Sequence, residues 1–236
     1  MIPRTIHQTS RSADIPAQWR EYQARAIALH PGWEYRHWTD DSNLELVRRS
    51  APHLLPLYLS LSKGIMKVDL IRYVYMSVYG GLYLDLDYEL VKPFDLLDKA
   101  LVVPRENDDE REPYLGNSIL ASEPRHPFWN DVLDELARGV HALGREPIED
   151  EVAGISGPGL VTRTYLLHRS RYPELYFARR EEFNPSMPRD PQAYATVVHS
   201  GRIYGIHHCD GSWRAKTVPQ RILRKLAAIR SRFGPR

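Results

Sequence analysis

The spacing of apolar and polar positions divides the chain into short strands and helices. Residues 2–7, Ile-Pro-Arg-Thr-Ile-His, read as a first strand, followed by a polar loop through Asp14. A helix is predicted from near Pro16, where proline suits a first turn, to about Leu29, with His30-Pro31-Gly32 ending it. Trp33–Trp38 reads as a second strand, and Asp40-Asp41-Ser42 as the cap of a helix near 42–49. Further strands are predicted near 82–86, 100–104, 117–121, 174–178, 195–198 and 203–206, with helices near 63–79, 126–138 and 159–169. Residues 105–116 are rich in turn formers, and Ile155–Gly159 reads as a tight turn. Strands alternating with helices predict an α/β sandwich around a mostly parallel sheet. Ligands of such sheets gather at the carboxyl ends of the strands.

The pattern is sharpest at residues 63–95. Between Val68 and Tyr79 the only charged residues are Asp69 and Arg72, so apolar side chains cover nearly the whole helix circumference. The i to i+3 spacing puts both charges on one face. Two readings stand open: an intrahelical ion pair that satisfies itself, or a polar notch that grips a ligand. Gly80-Gly81 stops the helix, where a left-handed residue costs glycine little. In Leu82-Tyr83-Leu84-Asp85-Leu86-Asp87 the leucines face one way, and Tyr83, Asp85 and Asp87 the other. An extended strand sets the Cα atoms of Asp85 and Asp87 roughly 6.6 Å apart, twice the strand rise. Unless the chain bends, that is wide for both to clasp one ion, so one should ligate and the other act through water or a ribose hydroxyl. Two carboxylates at a buried strand end need a cation, and a divalent metal holding a diphosphate meets that need.

Composition adds bounds rather than identity. At 236 residues the chain fits one large domain or two small ones, and 42% hydrophobic with 26% charged content is ordinary for a globular protein. Five tryptophans and fourteen tyrosines suit flat ligands such as sugars or bases, and also fill cores. No stretch approaches the roughly 18 apolar residues a membrane span needs. The opening MIPRTIHQTS lacks the apolar run of a signal peptide. A single cysteine, Cys209, excludes an internal disulfide framework, and a reducing cytoplasm is the expected location.

Residues 203–213, Ile-Tyr-Gly-Ile-His-His-Cys-Asp-Gly-Ser-Trp, form a second chemical cluster. His207, His208 and Cys209 invite a zinc reading, but no second cluster with zinc spacing accompanies them. One histidine serving as an extra ligand to the metal of the aspartates is the better functional reading, and an added imidazole shifts preference toward manganese. The competing reading is a core histidine beside a packing tryptophan.

These motifs together resemble glycosyltransferase family 32, the DXD-containing sugar transferases of mannosyltransferase and capsular-polysaccharide type. The matching residues are Ile2–Gln8, Lys67–Tyr73, Tyr79–Asp87, Ser156-Gly157-Pro158, and His207 with Ser212-Trp213. The resemblance implies a GT-A fold, a nucleotide-sugar donor such as a UDP- or GDP-sugar, Mn²⁺ or Mg²⁺, and transfer of a hexose-type sugar with retained anomeric configuration. The acceptor it implies is a glycan, a lipid-linked sugar or another hydroxyl. By that likeness Asp85 and Asp87 hold metal and ribose, while Asp69 and Arg72 contact the donor sugar, and catalysis depends on Asp69, Arg72 and Asp87. Ile6, His7 and Gln8 line the nucleoside pocket, Tyr83 and Asn117 border the donor, and Ser212 with Trp213 closes over the diphosphate. His207, six residues before Trp213, matches the family's spacing and is preferred to His208 as the metal ligand. The family's usual aromatic after the histidine pair is Cys209 here.

Net charge refines the domain picture. Residues 214–236 hold eight Lys/Arg and no acid, which leaves 24 basic against 30 acidic residues in the body. Ile222, Leu226, Ile229 and Phe233 repeat at helical spacing among those charges, an amphipathic basic helix of membrane-surface type. The expected organisation is a catalytic domain over 1–213 and a basic tail over 214–236 that meets an anionic membrane from the cytoplasmic side. The competing reading docks the tail on the body with its charges solvated. A metal-dependent nucleotidyl- or phosphotransferase would also need paired aspartates, but no P-loop or Lys/Arg-rich nucleotide loop is present. A non-catalytic sugar- or nucleic-acid-binding module is the other rival, and the acidic body speaks against a nucleic-acid partner.

Overall fold

The computed structural model describes residues 1–109 and 111–211. Six strands form the main sheet: β1 (Thr5–Thr9), β2 (Glu34–Trp38), β3 (Gly81–Leu84), β5 (Leu101–Pro104), β6 (Ile119–Ser122) and β7 (Tyr176–Ala178). A separate pair joins β4 (Tyr88–Leu90) to β8 (Gly205–His207). The main sheet runs β2-β1-β3-β6-β5-β7. β1 is parallel to β2 and β3, and β5 to β7, while β6 lies antiparallel to both β3 and β5. The sheet is thus mostly parallel with β6 reversed, as the alternation of elements implied.

Helices cover both faces. They are α1 (Ala17–Leu29), α2 (Asp40–Ser50), α3 (Leu55–Ser60), α4 (Gly64–Val78) and α5 (Pro127–Leu143). The second half adds α6 (Val152–Ile155), α7 (Pro158–His168), α8 (Arg180–Phe183) and α9 (Pro191–Val198). Strand alternation sends side chains into two cores. Tyr83 and Leu120 join Tyr73, Met76, Phe128, Trp129 and Leu160 on the α4, α5 and α7 side. Leu82, Leu84 and Ile119 join Ala26 of α1 and Tyr88 of β4 on the other.

α4 is the buried axis, with Met66 and every residue from Asp69 to Met76 enclosed. Its exit depends on the double glycine, because Gly80 and Gly81 take φ of +62° and +89°. A side chain would also collide there: a Cβ on Gly80 would lie 2.5 Å from Ser122 O, and one on Gly81 2.6 Å from Thr5 O. His7 locks this corner. Its Nε2–H donates to Gly80 O (3.1 Å), and its Nδ1 accepts from Trp38 Nε1–H (3.1 Å).

Several elements differ from the sequence reading. The first strand begins at Thr5 rather than residue 2, since Pro3 has no N–H for a ladder and its carbonyl instead accepts a turn bond from Thr5. α2 starts at Asp40 under a Thr39 cap, with Thr39 and Ser42 bonding each other's backbone N–H groups. Residues 195–198 are helical, not extended. Asp190 caps α9 by accepting from Ala193 N–H (2.8 Å), and Pro191 occupies its first turn, so a start signal overrides a short apolar run. β6 begins at Ile119, because Asn117 turns out of the strand toward α4. α5 continues past residue 138 to Leu143, where Gly144 ends it at φ +60°.

Candidate functional site

β3 ends at Leu84, and the chain turns at once. Asp85 N–H still bonds Ser118 O, just ahead of β6 (2.8 Å), and Tyr88 N–H closes back on Asp85 O (3.0 Å). The turn carries the chain out of the main sheet into β4, which pairs with β8 so that Tyr88 lies opposite His207. His208 N–H extends this contact to Asp87 O (3.0 Å). Ligand atoms of Asp85, Asp87 and His207 consequently lie within 4.8 Å of one another. His207 Nε2 is 3.3 Å from Asp87 Oδ1 and 3.9 Å from Asp85 Oδ2. The extended-strand spacing, which kept one aspartate away from an ion, is therefore corrected: the bend brings both within reach.

The three groups form a charged cluster with about one fifth of each side chain exposed. Burial alone would lower the His207 pKa, but the hydrogen bond that His207 donates to Asp87, the Cys209 contact and the charge of Asp85 outweigh it and raise it to about 11. Burial likewise pushes Asp87 up, yet His207 and the Asp210 backbone N–H outweigh it and hold Asp87 below the usual carboxylate range. Asp85 ends above that range, since burial exceeds the opposing pull of Arg72. In this state an imidazolium balances the carboxylates. The donor set of two carboxylates and one imidazole fits a divalent ion that favours oxygen and accepts nitrogen. Such an ion would take over the charge that the His207 proton supplies.

Behind Asp85 lies the α4 pair. Arg72 is 2% exposed, with Nη2 3.3 Å from Asp69 Oδ1 and Nη1 3.2 Å from Asp85 Oδ1. Nη1 also donates to Asn117 O (2.6 Å), and the guanidinium stands over the Tyr83 ring at 4.8 Å. Burial works against the Arg72 charge, but Asp85, Tyr83 and Asp69 outweigh it and hold the proton more firmly than usual. Asp69 accepts from Ser156 Oγ (2.6 Å) and Asn117 Nδ2 (3.0 Å), and burial raises its pKa above the ordinary value. The Tyr83 hydroxyl donates to Asp85 Oδ1 (2.6 Å). The intrahelical ion pair is present, then, but it opens onto Asp85 instead of closing on itself.

The remaining sequence candidates divide. Gln8 reaches the site through Nε2 to Asp85 O (3.4 Å), with its Oε1 held by the Tyr35 hydroxyl (2.9 Å). Ile6 is turned into the core, and His7 is fully buried with both ring nitrogens taken. Asn117 bridges Asp69 and the Tyr73 hydroxyl (3.1 Å). His208 faces away from the aspartates, with Nε2–H to Glu89 Oε2 (3.0 Å) and its ring stacked on Tyr22, which leaves His207 beside them. Ser212, Trp213 and the basic tail lie outside the described residues. Sequence reasoning missed Asp210 beside Asp87 and Trp19 beside Asp210, and it quoted Ser156 without giving it a role. Asp210 stood inside the histidine cluster, whereas nothing local marks Trp19.

Comparison with known proteins accords with this geometry. Residues 16–103 match the family described as the glycosyltransferase sugar-binding region containing DXD motif. The chain is 36% identical over 136 residues to mannosyl phosphorylinositol ceramide synthase CSH1 of Saccharomyces cerevisiae, covering 58% of this chain and 35% of that protein. It is also 36% identical over 138 residues to inositol phosphoceramide mannosyltransferase 3 of Schizosaccharomyces pombe, covering 58% and 38%. The chain thus spans little more than a third of the length of these relatives. Among solved structures, the PaToxG glycosyltransferase superposes with a TM-score of 0.57 at 18% identity, over 70% of this chain and 68% of that one. The α/β sandwich is accordingly of the GT-A type. Residues 16–103, which hold Asp69, Arg72, Asp85 and Asp87, are thus similar to the DXD-containing sugar-binding region of glycosyltransferases, the likeness that the motifs carried.

Proposed function

We propose that this chain transfers a hexose-type sugar from a nucleoside-diphosphate donor to a hydroxyl of a glycan or lipid-linked acceptor, using Mn²⁺ or Mg²⁺ held by Asp85, Asp87 and His207. The observation that carries the reading is the convergence of those three ligand groups within 4.8 Å where β3 ends. Similarity to proteins named for mannosyl transfer to inositol phosphoceramides supports a mannose-type donor and a lipid acceptor.

When bound, the ion would neutralise charge growing on the diphosphate as the sugar–phosphate bond breaks. The chain's own part is preorganisation. Arg72 and the Tyr83 hydroxyl fix the Asp85 carboxylate, and His207 offers Nε2 once it has lost its proton. Asp69 and Arg72 stand behind Asp85 and are almost fully buried, so their part in donor binding is to set Asp85 and Asn117. The proposed outcome is retention of anomeric configuration. Each nearby carboxylate is already engaged: Asp69 by Ser156 and Asn117, Asp85 by Arg72 and Tyr83, and Asp87 by His207 and Asp210. Same-face displacement, with the leaving diphosphate as base, fits that engagement better than a carboxylate nucleophile does.

The test is a panel of UDP- and GDP-sugars with Mn²⁺ and lipid or glycan acceptors, read as nucleoside diphosphate release. Release is expected from the parent chain, and Asp87→Ala should abolish it while leaving the melting curve cooperative. Metal-independent release at the parent rate in Asp87→Ala would overturn the assignment, and pyrophosphate release would favour a nucleotidyltransferase.

We further propose residues 1–213 as one catalytic domain on the cytoplasmic side, with the basic residues 214–236 meeting anionic lipid. Among the described residues no helix is long and apolar enough to cross a membrane. Deleting 217–236 should remove binding to anionic vesicles, and equal binding by the truncated chain would sink the membrane role.

A further inference from the structure

Asp87 has a second set of contacts, directed away from the candidate ion and toward α1. Its Oδ1 is the oxygen beside His207 Nε2, at 3.3 Å. Its Oδ2 is occupied by the backbone N–H of Asp210, at 2.9 Å. The Asp210 carboxylate in turn accepts the indole N–H of Trp19 at 2.8 Å, across 191 positions of sequence.

The segment between these contacts is under constraint. Cys209 sits at φ +51°, a left-handed conformation uncommon for a residue with a side chain, and neighbours on both sides must hold it there. On one side His208 is fixed by its backbone bond to Asp87 O, by Glu89, and by the Tyr22 ring stacked 4.8 Å away at an interplanar angle of 2°. On the other side Asp210 is fixed by Trp19. Trp19 and Tyr22 are three residues apart in α1, so one face of that helix grips both flanks of the turn. α1 is itself tied down by Ala26 in the core and by the Arg25–Glu89 ion pair.

We propose that Trp19 and Asp210 form a latch that makes Asp87 present a single oxygen, Oδ1, to the divalent ion; this rests on the metal reading above. A carboxylate without the Asp210 N–H could rotate and offer either oxygen or both. The latch removes that choice before the ion arrives. Trp19 and Asp210 are positioning residues: Trp19 acts on the ion through Asp210, and Asp210 through Asp87.

The experiment is calorimetric titration of the full chain with Mn²⁺ alone, alongside its melting temperature in a chelator. Trp19→Phe keeps the ring and removes the N–H, and Asp210→Ala removes the acceptor. Both are expected to weaken Mn²⁺ binding by about 10-fold, in the range for outer contacts of a metal ligand, with the metal-free melting temperature unchanged. Should Trp19→Phe fail to fold, Asp210→Leu, which keeps the backbone donor and about the same side-chain size but offers no acceptor, decides by the same measure. A lowered melting temperature with intact Mn²⁺ affinity would assign the contact to packing and overturn the latch. Binding that is lost in Asp87→Ala but unchanged in the latch variants overturns the latch alone. A parent chain that binds no Mn²⁺ overturns the latch and the metal reading together.

Discussion

At Arg72 one buried guanidinium serves two carboxylates, the enclosed Asp69 at 3.3 Å and the partly exposed Asp85 at 3.2 Å. Removing it strands both. Arg72→Ala should therefore destabilise the fold by about 3–5 kcal/mol, the usual cost of leaving a buried charge uncompensated, as urea unfolding would measure. A loss below about 1 kcal/mol would mean that Ser156, Asn117 and Tyr83 satisfy the carboxylates unaided. His7 makes a different prediction. Burial, with the Arg36 charge adding to it, lowers its pKa to about 3, so the folded chain keeps it neutral while an unfolded histidine titrates near 6.5. Below the unfolded value the unfolded state binds the extra proton, so His7 draws stability from the fold as pH falls from about 6.5 to about 3. Unfolding free energies measured at pH 7 and pH 4 should show this loss, and His7→Gln should reduce the pH dependence. An equal dependence in that variant would remove His7 as its source.

Among the elements, the passage from α4 to β3 sets where the aspartates emerge. Gly80→Ala meets both a positive φ and backbone atoms at 2.5 Å, whereas Gly144→Ala meets a similar φ of +60° with open space around it. The second change should cost about 1–2 kcal/mol, the price of a left-handed residue alone, and the first distinctly more, as paired thermal melts would reveal. Equal losses would show that the corner yields. The buried character of α4 and the glycine stop were legible because each is written in the local sequence. The turn at 85–88 was not. Leu86 is buried in the observed bend just as it would be in a continuing strand, so alternation carries no sign of the departure. Residues 195–198 misled for a related reason, since a short apolar run fits a strand or a helix and the Asp190-Pro191 start decides. Trp19 was out of reach because its partner is distant in sequence and only the packing of α1 brings them together.

Across the whole molecule, the candidate ion would join segments separated by more than a hundred residues. Asp85 and Asp87 follow the main sheet, and His207 ends the separate two-stranded one. An ion held by all three would tie the sheets in the folded state alone, so Mn²⁺ should raise the melting temperature. At a hundredfold excess over the dissociation constant the gain is about 2.7 kcal/mol. Differential scanning calorimetry should find that rise in the parent and not in Asp87→Ala, and a rise of equal size in both would place the ion elsewhere. The same pairing of β4 with β8 guards against a mistake that the chain's own repetition invites. His207 and His208 are adjacent imidazoles, and sliding β8 by one position would set His208 opposite Tyr88 without changing the kind of group offered. Chemistry alone would tolerate such an error. What forbids it is steric and asymmetric: a side chain at Gly205 would meet the Tyr88 ring at 2.4 Å and Glu89 O at 2.5 Å, so among residues 203–207 only the glycine fits opposite Leu90. Gly205 thus proofreads which of two identical side chains enters the site.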